Sequence, residues 1–197
     1  MKRVEQEHTY WDAAAQDPDV AVKYISDIAT KDCMEALLKG LPKLVDQKIA
    51  DLGCGIGRIT IPLADLHPAC HVTGIDISDE MINIAKKHPM EFLVRWIQNS
   101  GRNVPGAPYD VIYSMLVFQH IDKPGVWAYI RTISRALADN GLFRFQFIEG
   151  SEREPFSHHY FFSDIEKRLN ECKLYVTHYD QGLVHPQWSW VTAKKRS

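Results

Sequence analysis

The sequence predicts an α/β fold, a doubly wound and mostly parallel sheet with helices on both faces in a three-layer αβα sandwich. Three observations carry this. Strand-like and helix-like segments alternate along most of the chain, the pattern of parallel βαβ units. A glycine-rich loop leaves the first strand and opens a helix. The second strand ends on an acidic residue, Asp76.

The elements follow in order. From Tyr10 to about Leu44 apolar residues recur at three- and four-residue spacings, among them Ala13, Val20, Ile25, Ile28, Ala29, Met34 and Leu37, so this stretch is expected to be helical. Gly40 and Pro42 then end it. Lys48 to Leu52 reads as a short buried strand, and Ile59 to Leu66 as the next helix, with Pro62 tolerated in its first turn. His71 to Ile75 is the second strand. Ser78 starts a helix whose first turn holds Asp79 and Glu80, where the helix dipole favours negative charge. Phe92 to Ile97 and Tyr109 to Ser114 are the third and fourth strands, and Trp127 to Leu137 is a helix. Asp139-Asn140-Gly141 is a turn, and Leu142 to Ile148 the fifth strand. A helix from Ser163 to Cys172 precedes two late strands, Leu174 to Tyr179 and Trp188 to Ala193. No linker divides the 197 residues, which read as one domain. Residues 1–44 form a helical cap and 45–197 the core.

Composition narrows the function. Hydrophobic residues make up 45% and charged residues 24%, ordinary for a globular domain. A net charge of −2 supplies no cationic field for nucleic acid. Lys194-Lys195-Arg196 is too short for a basic patch. No signal peptide opens the chain and no apolar run approaches the ~18 residues of a membrane helix, so a cytoplasmic protein without a membrane partner is expected. Cys33, Cys54, Cys70 and Cys172 lie too far apart for a CxxC site and read as free thiols.

Asp51-Leu52-Gly53-Cys54-Gly55-Ile56-Gly57-Arg58 carries the most information. Glycine allows a tight turn and close backbone approach to a ligand. A dinucleotide G-x-G-x-x-G fingerprint would need its third glycine where Arg58 stands, which disfavours a NAD-dependent oxidoreductase. No Gly-Lys-Ser/Thr follows, which excludes a P-loop. The Asp76 carboxylate can accept both hydroxyls of a ribose, with Ile77 against an adenine face.

At these residues the chain resembles the class I, Rossmann-like S-adenosylmethionine-dependent methyltransferase family, over roughly Leu44 to Phe147. The first family motif corresponds to Asp51, Gly53, Gly55 and Gly57, and the second to Asp76. The third, usually an aspartate that holds the adenine amino group, falls in Asn99-Ser100-Gly101-Arg102-Asn103-Val104-Pro105, where Ser100 replaces the acid. The fourth matches Tyr109 to Ser114 and leads into Met115 to Ile121. The resemblance implies a seven-stranded sheet with its last strand antiparallel, S-adenosylmethionine as cofactor, and a binding set that adds Arg58, Ile77, Met81, Gly101, Ser114 and Met115.

Methyl transfer from a sulfonium needs an acceptor held in line, with a base only where the acceptor must lose a proton. No metal is required. His120 is the candidate catalytic group, since it follows strand four and can titrate near neutrality. Tyr10, Trp11, His158, His159 and Tyr160 are candidate substrate contacts, in an aromatic group that includes Phe147, Phe156, Phe161 and Phe162. The acceptor is expected to be a small molecule, methylated on oxygen or nitrogen. Monomer and homodimer are both compatible with the sequence. Gly55 to Thr60 is also similar to the protein α-N-terminal methyltransferases, in which the arginine pairs with the cofactor carboxylate. Those enzymes place Asp-Asn after strand five, where this chain has Phe147-Ile148. A catalytically silent cofactor-binding partner protein is a further reading that the same motifs allow.

Overall fold

The structure is a computed structural model that describes residues 2–17, 30–151 and 157–196. Val20, Val22, Ile25, Ile28, Ala29 and Phe156 lie outside the described residues. The amino-terminal helices are α1 (Lys2–Gln16) and α2 (Thr30–Lys39). The expected stretch from Tyr10 to Leu44 is thus corrected: α1 begins at Lys2, eight residues earlier, in a polar segment that apolar periodicity cannot register. Among the described residues of α1 only Ala14 is buried, and the helix is fastened by ion pairs rather than by a core stripe.

The core then alternates through β1 (Lys48–Leu52), α3 (Thr60–Leu66), β2 (His71–Asp76), α4 (Asp79–Ala85), β3 (Val94–Gln98) and β4 (Tyr109–Ser114). It ends with α5 (Lys123–Ala136), β5 (Leu137–Ile148), α6 (Phe162–Glu171), β6 (Leu174–Gln181) and β7 (Trp188–Lys195). Ser78 caps α4, its hydroxyl accepting Met81 N–H at 3.1 Å. Three expectations are corrected. Glu91–Leu93 is a 3₁₀ turn rather than the start of β3, and Phe92 is left 73% exposed. Helix α5 starts at Lys123, because Asp122 caps it by accepting Gly125 N–H at 3.0 Å. Asp139-Asn140-Gly141 is a bulge inside β5: Tyr109 pairs with Leu137 and Val111 with Leu142, so the intervening residues of β5 leave the ladder.

The seven strands are ordered β3-β2-β1-β4-β5-β7-β6. Strand β7 is antiparallel to both of its neighbours, and the β1–β5 pairings are parallel. Alternation along each strand feeds two cores. Leu52, Ile112, Phe143, Phe145 and Phe147 pack with α5 and α6, while Ile49, Val111, Tyr113 and Trp190 pack with α2 and α3. The chain winds outward from β1 to β3, then crosses back to β4. That reversal puts a crevice outside the carboxyl ends of β1 and β4. No described helix is long and apolar enough to cross a membrane.

Candidate active site

A cavity of about 350 Å³ occupies this crevice. Its floor is the loop after β1. Gly53 has φ +80, and a Cβ there would lie 2.2 Å from the Val117 side chain, so the loop and the segment after β4 close together only over glycine. Gly55 has φ +52 and lines the cavity, with nothing within 4 Å of an added Cβ. Its backbone is therefore open to a ligand. Gly57 does not line the cavity; it faces Trp96 and Ile61, and its N–H bonds Cys54 O at 3.0 Å.

Two buried carboxylates flank the loop. Asp76 Oδ2 accepts Gly55 N–H at 2.7 Å and Oδ1 accepts Ser78 N–H at 2.9 Å. Burial raises its pKa, against the pull of those backbone N–H groups. Asp51 accepts the hydroxyls of Thr60 at 2.6 Å and Tyr113 at 2.8 Å. Burial lifts its pKa to about 7, although both hydroxyls oppose the rise. Asp51 and Arg58 both line the cavity, so one end presents an acid and a guanidinium together.

At the other end stand Asn99, Arg102, Tyr129 and Glu7, none of them in the expected set. Ser100 and Gly101 do not line the cavity, whereas Asn99, at the mouth of β3, does. Asn99 is 2% exposed; its Nδ2 donates to Tyr129 Oη and Asn103 O, both at 3.1 Å. Its buried Oδ1 has no hydrogen-bond partner among the described residues. Arg102 pairs with Glu7 of α1 at 2.5 Å and lies over the Tyr129 ring. Helix α1 also reaches the site through Asp12, which accepts the Ser78 hydroxyl at 2.5 Å. Ile77 and Met81 line the cavity as expected.

The third wall is the segment after β4. Met115 and His120 line it, while Ser114 is buried and donates to Leu52 O at 2.8 Å. The Trp11 ring meets His120 edge-on, with centroids 5.0 Å apart. Burial, helped by neighbouring His158, lowers the His120 pKa to about 4. The expectation that it titrates near neutrality is corrected: the imidazole is neutral at pH 7. Of the expected substrate contacts, Trp11 alone lines the cavity. Tyr10 is 55% exposed and packs on Trp11. Tyr160 is fully buried, its hydroxyl directed at backbone carbonyls, so its assignment to the substrate is corrected. His159 is buried outside the cavity lining, and His158 N–H donates to Gln119 O at 2.8 Å. Phe147 belongs to the core and Phe162 packs on Tyr179. Asn99 was findable as the residue that follows β3; Trp188, at the start of β7, carried no local signal.

No three His, Cys, Asp or Glu side chains come together as metal ligands among the described residues. The four cysteines are free thiols.

Residues 49–141 match the family described as a methyltransferase domain. A ubiquinone biosynthesis O-methyltransferase of Methylobacterium nodulans is 31% identical over 147 residues, covering 68% of this chain and 56% of the relative. A malonyl-[acyl-carrier protein] O-methyltransferase of Halalkalibacterium halodurans is 37% identical over 82 residues, 39% of this chain and 30% of the relative. The chain thus spans about half or less of the curated relatives it matches. Among solved structures, the magnesium protoporphyrin IX methyltransferase of Synechocystis with bound SAH superposes with TM-score 0.67 at 20% identity, over 84% of this chain and 81% of that one. That likeness is one of fold.

Proposed function

Since the chain belongs to the class I S-adenosylmethionine-dependent methyltransferase family, we propose that it transfers a methyl group to an oxygen or nitrogen of a small molecule. The observation that carries this is the union of the open Gly55 backbone with the Asp76 carboxylate at the floor of the cavity.

The residues present fit the cofactor. Asp76 has lone pairs left for ribose hydroxyls beyond its two backbone bonds. The unpartnered Asn99 Oδ1 can accept from an exocyclic amine. Asp51 and Arg58 suit the ammonium and carboxylate of an amino acid. Ile77 and Met81 offer apolar surface to a flat ring. When bound, the cofactor supplies an electrophilic methyl on a positively charged sulfur.

On the acceptor side the cavity is walled by Trp11, Met115, Leu116 and Trp188, with Gln119 and His120 as polar groups. These apolar walls exclude water and orient an acceptor, which is the main catalytic demand of an in-line displacement. The neutral His120 ring can hold the acceptor by a hydrogen bond. With a pKa of about 4 it is a weak proton acceptor, so orientation is its main role. The relatives named above carry O-methyltransferase names, which favours an oxygen acceptor. Phe147-Ile148, where protein α-N-terminal enzymes carry Asp-Asn, offers no carboxylate to an amine.

The test is a small-molecule extract incubated with protein and S-adenosylmethionine and read by mass spectrometry. The expected result is a species heavier by one methylene unit that wild-type protein forms and Asp76→Ala does not. Cofactor binding without any such product would favour the silent partner protein.

A further inference from the structure

The segment after β4, Met115 to Ile121, brings Met115, Leu116, Val117 and His120 to one wall of the cavity. Its backbone takes a shape that its own residues do not favour. Leu116 has φ +60, in the left-handed region that glycine adopts readily and leucine rarely. A non-glycine residue stays there only where its surroundings over-determine it, and such positions cluster at functional sites.

Two buried side chains outside the cavity lining supply that determination. Gln146, on β5, is 1% exposed, and its Oε1 accepts Leu116 N–H at 3.0 Å. Its Nε2 is buried with no hydrogen-bond partner among the described residues, so the acceptor oxygen is the half of the amide that is used. From the opposite face, the Tyr160 hydroxyl lies 2.5 Å from Ile121 O and 3.1 Å from Phe118 O. Those two carbonyls bracket His120. His158 N–H adds a bond to Gln119 O, the carbonyl just before it. The tyrosine ring is separately packed edge-on against Trp127 and Phe147, so its hydroxyl can be removed without emptying the core.

We infer that Gln146 and Tyr160 are positioning residues for methyl transfer, clamping the Met115–Ile121 segment from two sides so that His120 meets the acceptor at a fixed place. This rests on the methyltransferase reading and on His120 facing the acceptor. A displacement of about 1 Å from a change far from the chemistry can lower turnover on the order of 10²-fold, which is why such a clamp matters.

The test follows the imidazole of His120 by NMR against pH in wild type, Tyr160→Phe, Gln146→Met and Gln146→Glu, together with S-adenosylhomocysteine affinity by calorimetry. His158, the titratable ring beside His120, is followed in the same spectra. In wild type His120 stays neutral down to about pH 4. In Tyr160→Phe and Gln146→Met the segment loosens, water reaches the ring, and the midpoint rises by about one unit or more toward its ordinary value. Both variants should still bind S-adenosylhomocysteine within about twofold of wild type, because the glycine loop and Asp76 lie outside the clamp. Gln146→Glu keeps an acceptor for Leu116 N–H and should keep the wild-type midpoint. An unchanged midpoint in both Tyr160→Phe and Gln146→Met contradicts the inference, as does failure of both to fold, which would make the two bonds supports of the fold alone. Failure of wild-type protein to bind S-adenosylhomocysteine overturns the methyltransferase reading instead.

Discussion

Gly55 N–H donates to Asp76 Oδ2 at 2.7 Å, which joins the loop after β1 to the acidic end of β2 as one unit. The other oxygen of Asp76 holds Ser78 N–H at the start of α4. One carboxylate therefore shapes the loop and also lines the cavity.

Asp76→Ala should weaken S-adenosylhomocysteine binding at least about tenfold, since hydrogen bonds to a charged acceptor contribute ~1.5–3 kcal/mol each. Calorimetry measures it. Affinity within about twofold of wild type would mean that the end of β2 does not hold the ribose.

The fold was legible because its signals are local. Lys48 to Leu52 and Tyr109 to Ser114 are apolar runs bounded by turn residues, and the structure starts and ends both strands where the sequence does. Boundaries failed where a polar contact outweighs periodicity, as at Asp122, which starts α5 ahead of its apolar face. The site was half legible. Gly53, Gly55 and Asp76 announce themselves by their spacing on consecutive elements, with Ile77 beside Asp76, and the family resemblance adds Asp51, Arg58 and Met81; all seven line the cavity. Glu7, Arg102 and Trp188 reach the cavity through tertiary packing, which no local pattern encodes. Tyr160 was misread because an aromatic side chain looks the same in sequence whether it lines a cavity or braces a backbone.

Asn99→Ala should weaken S-adenosylhomocysteine binding by about 1–2 kcal/mol more than Ser100→Ala, since Asn99 lines the cavity with an unpartnered Oδ1 and Ser100 does not line it. Parallel titrations of the two variants check this. The reverse order would restore Ser100 as the adenine contact.

Cofactor binding should release a proton near neutrality. Free Asp51 titrates at about 7 because it is buried, and an ammonium placed beside it favours the ionised form. Affinity should therefore fall as pH drops below 7, approaching about tenfold per unit, and Asp51→Asn should flatten the dependence. For stability the sign is opposite. The folded chain holds this proton between the ordinary carboxylate range and pH 7, so the contribution of Asp51 is full at low pH and is lost as pH rises to about 7. Calorimetry in two buffers of different ionisation enthalpy measures the released proton; no buffer dependence would contradict the account.

Arg144 is buried on β5 and donates to Ala36 O of α2 at 2.7 Å, to Thr192 at 3.2 Å and to Asp180 at 3.1 Å. The pairing with Lys39 and Arg144 holds the Asp180 carboxyl below its usual range, against the effect of burial. Arg144→Met should destabilise the chain by ~3 kcal/mol, the usual loss on breaking a buried pair. Gly40→Ala should also destabilise it, because a Cβ there would lie 2.4 Å from the guanidinium. Urea unfolding of both variants checks this, and wild-type midpoints would show that α2 is held by other contacts.

The most direct test of the central claim is a calorimetric comparison of S-adenosylhomocysteine, NAD and ATP as ligands of the unmodified protein. The expected result is one S-adenosylhomocysteine site per chain, bound at least about tenfold more tightly than either nucleotide. NAD or ATP bound in preference to S-adenosylhomocysteine would contradict it.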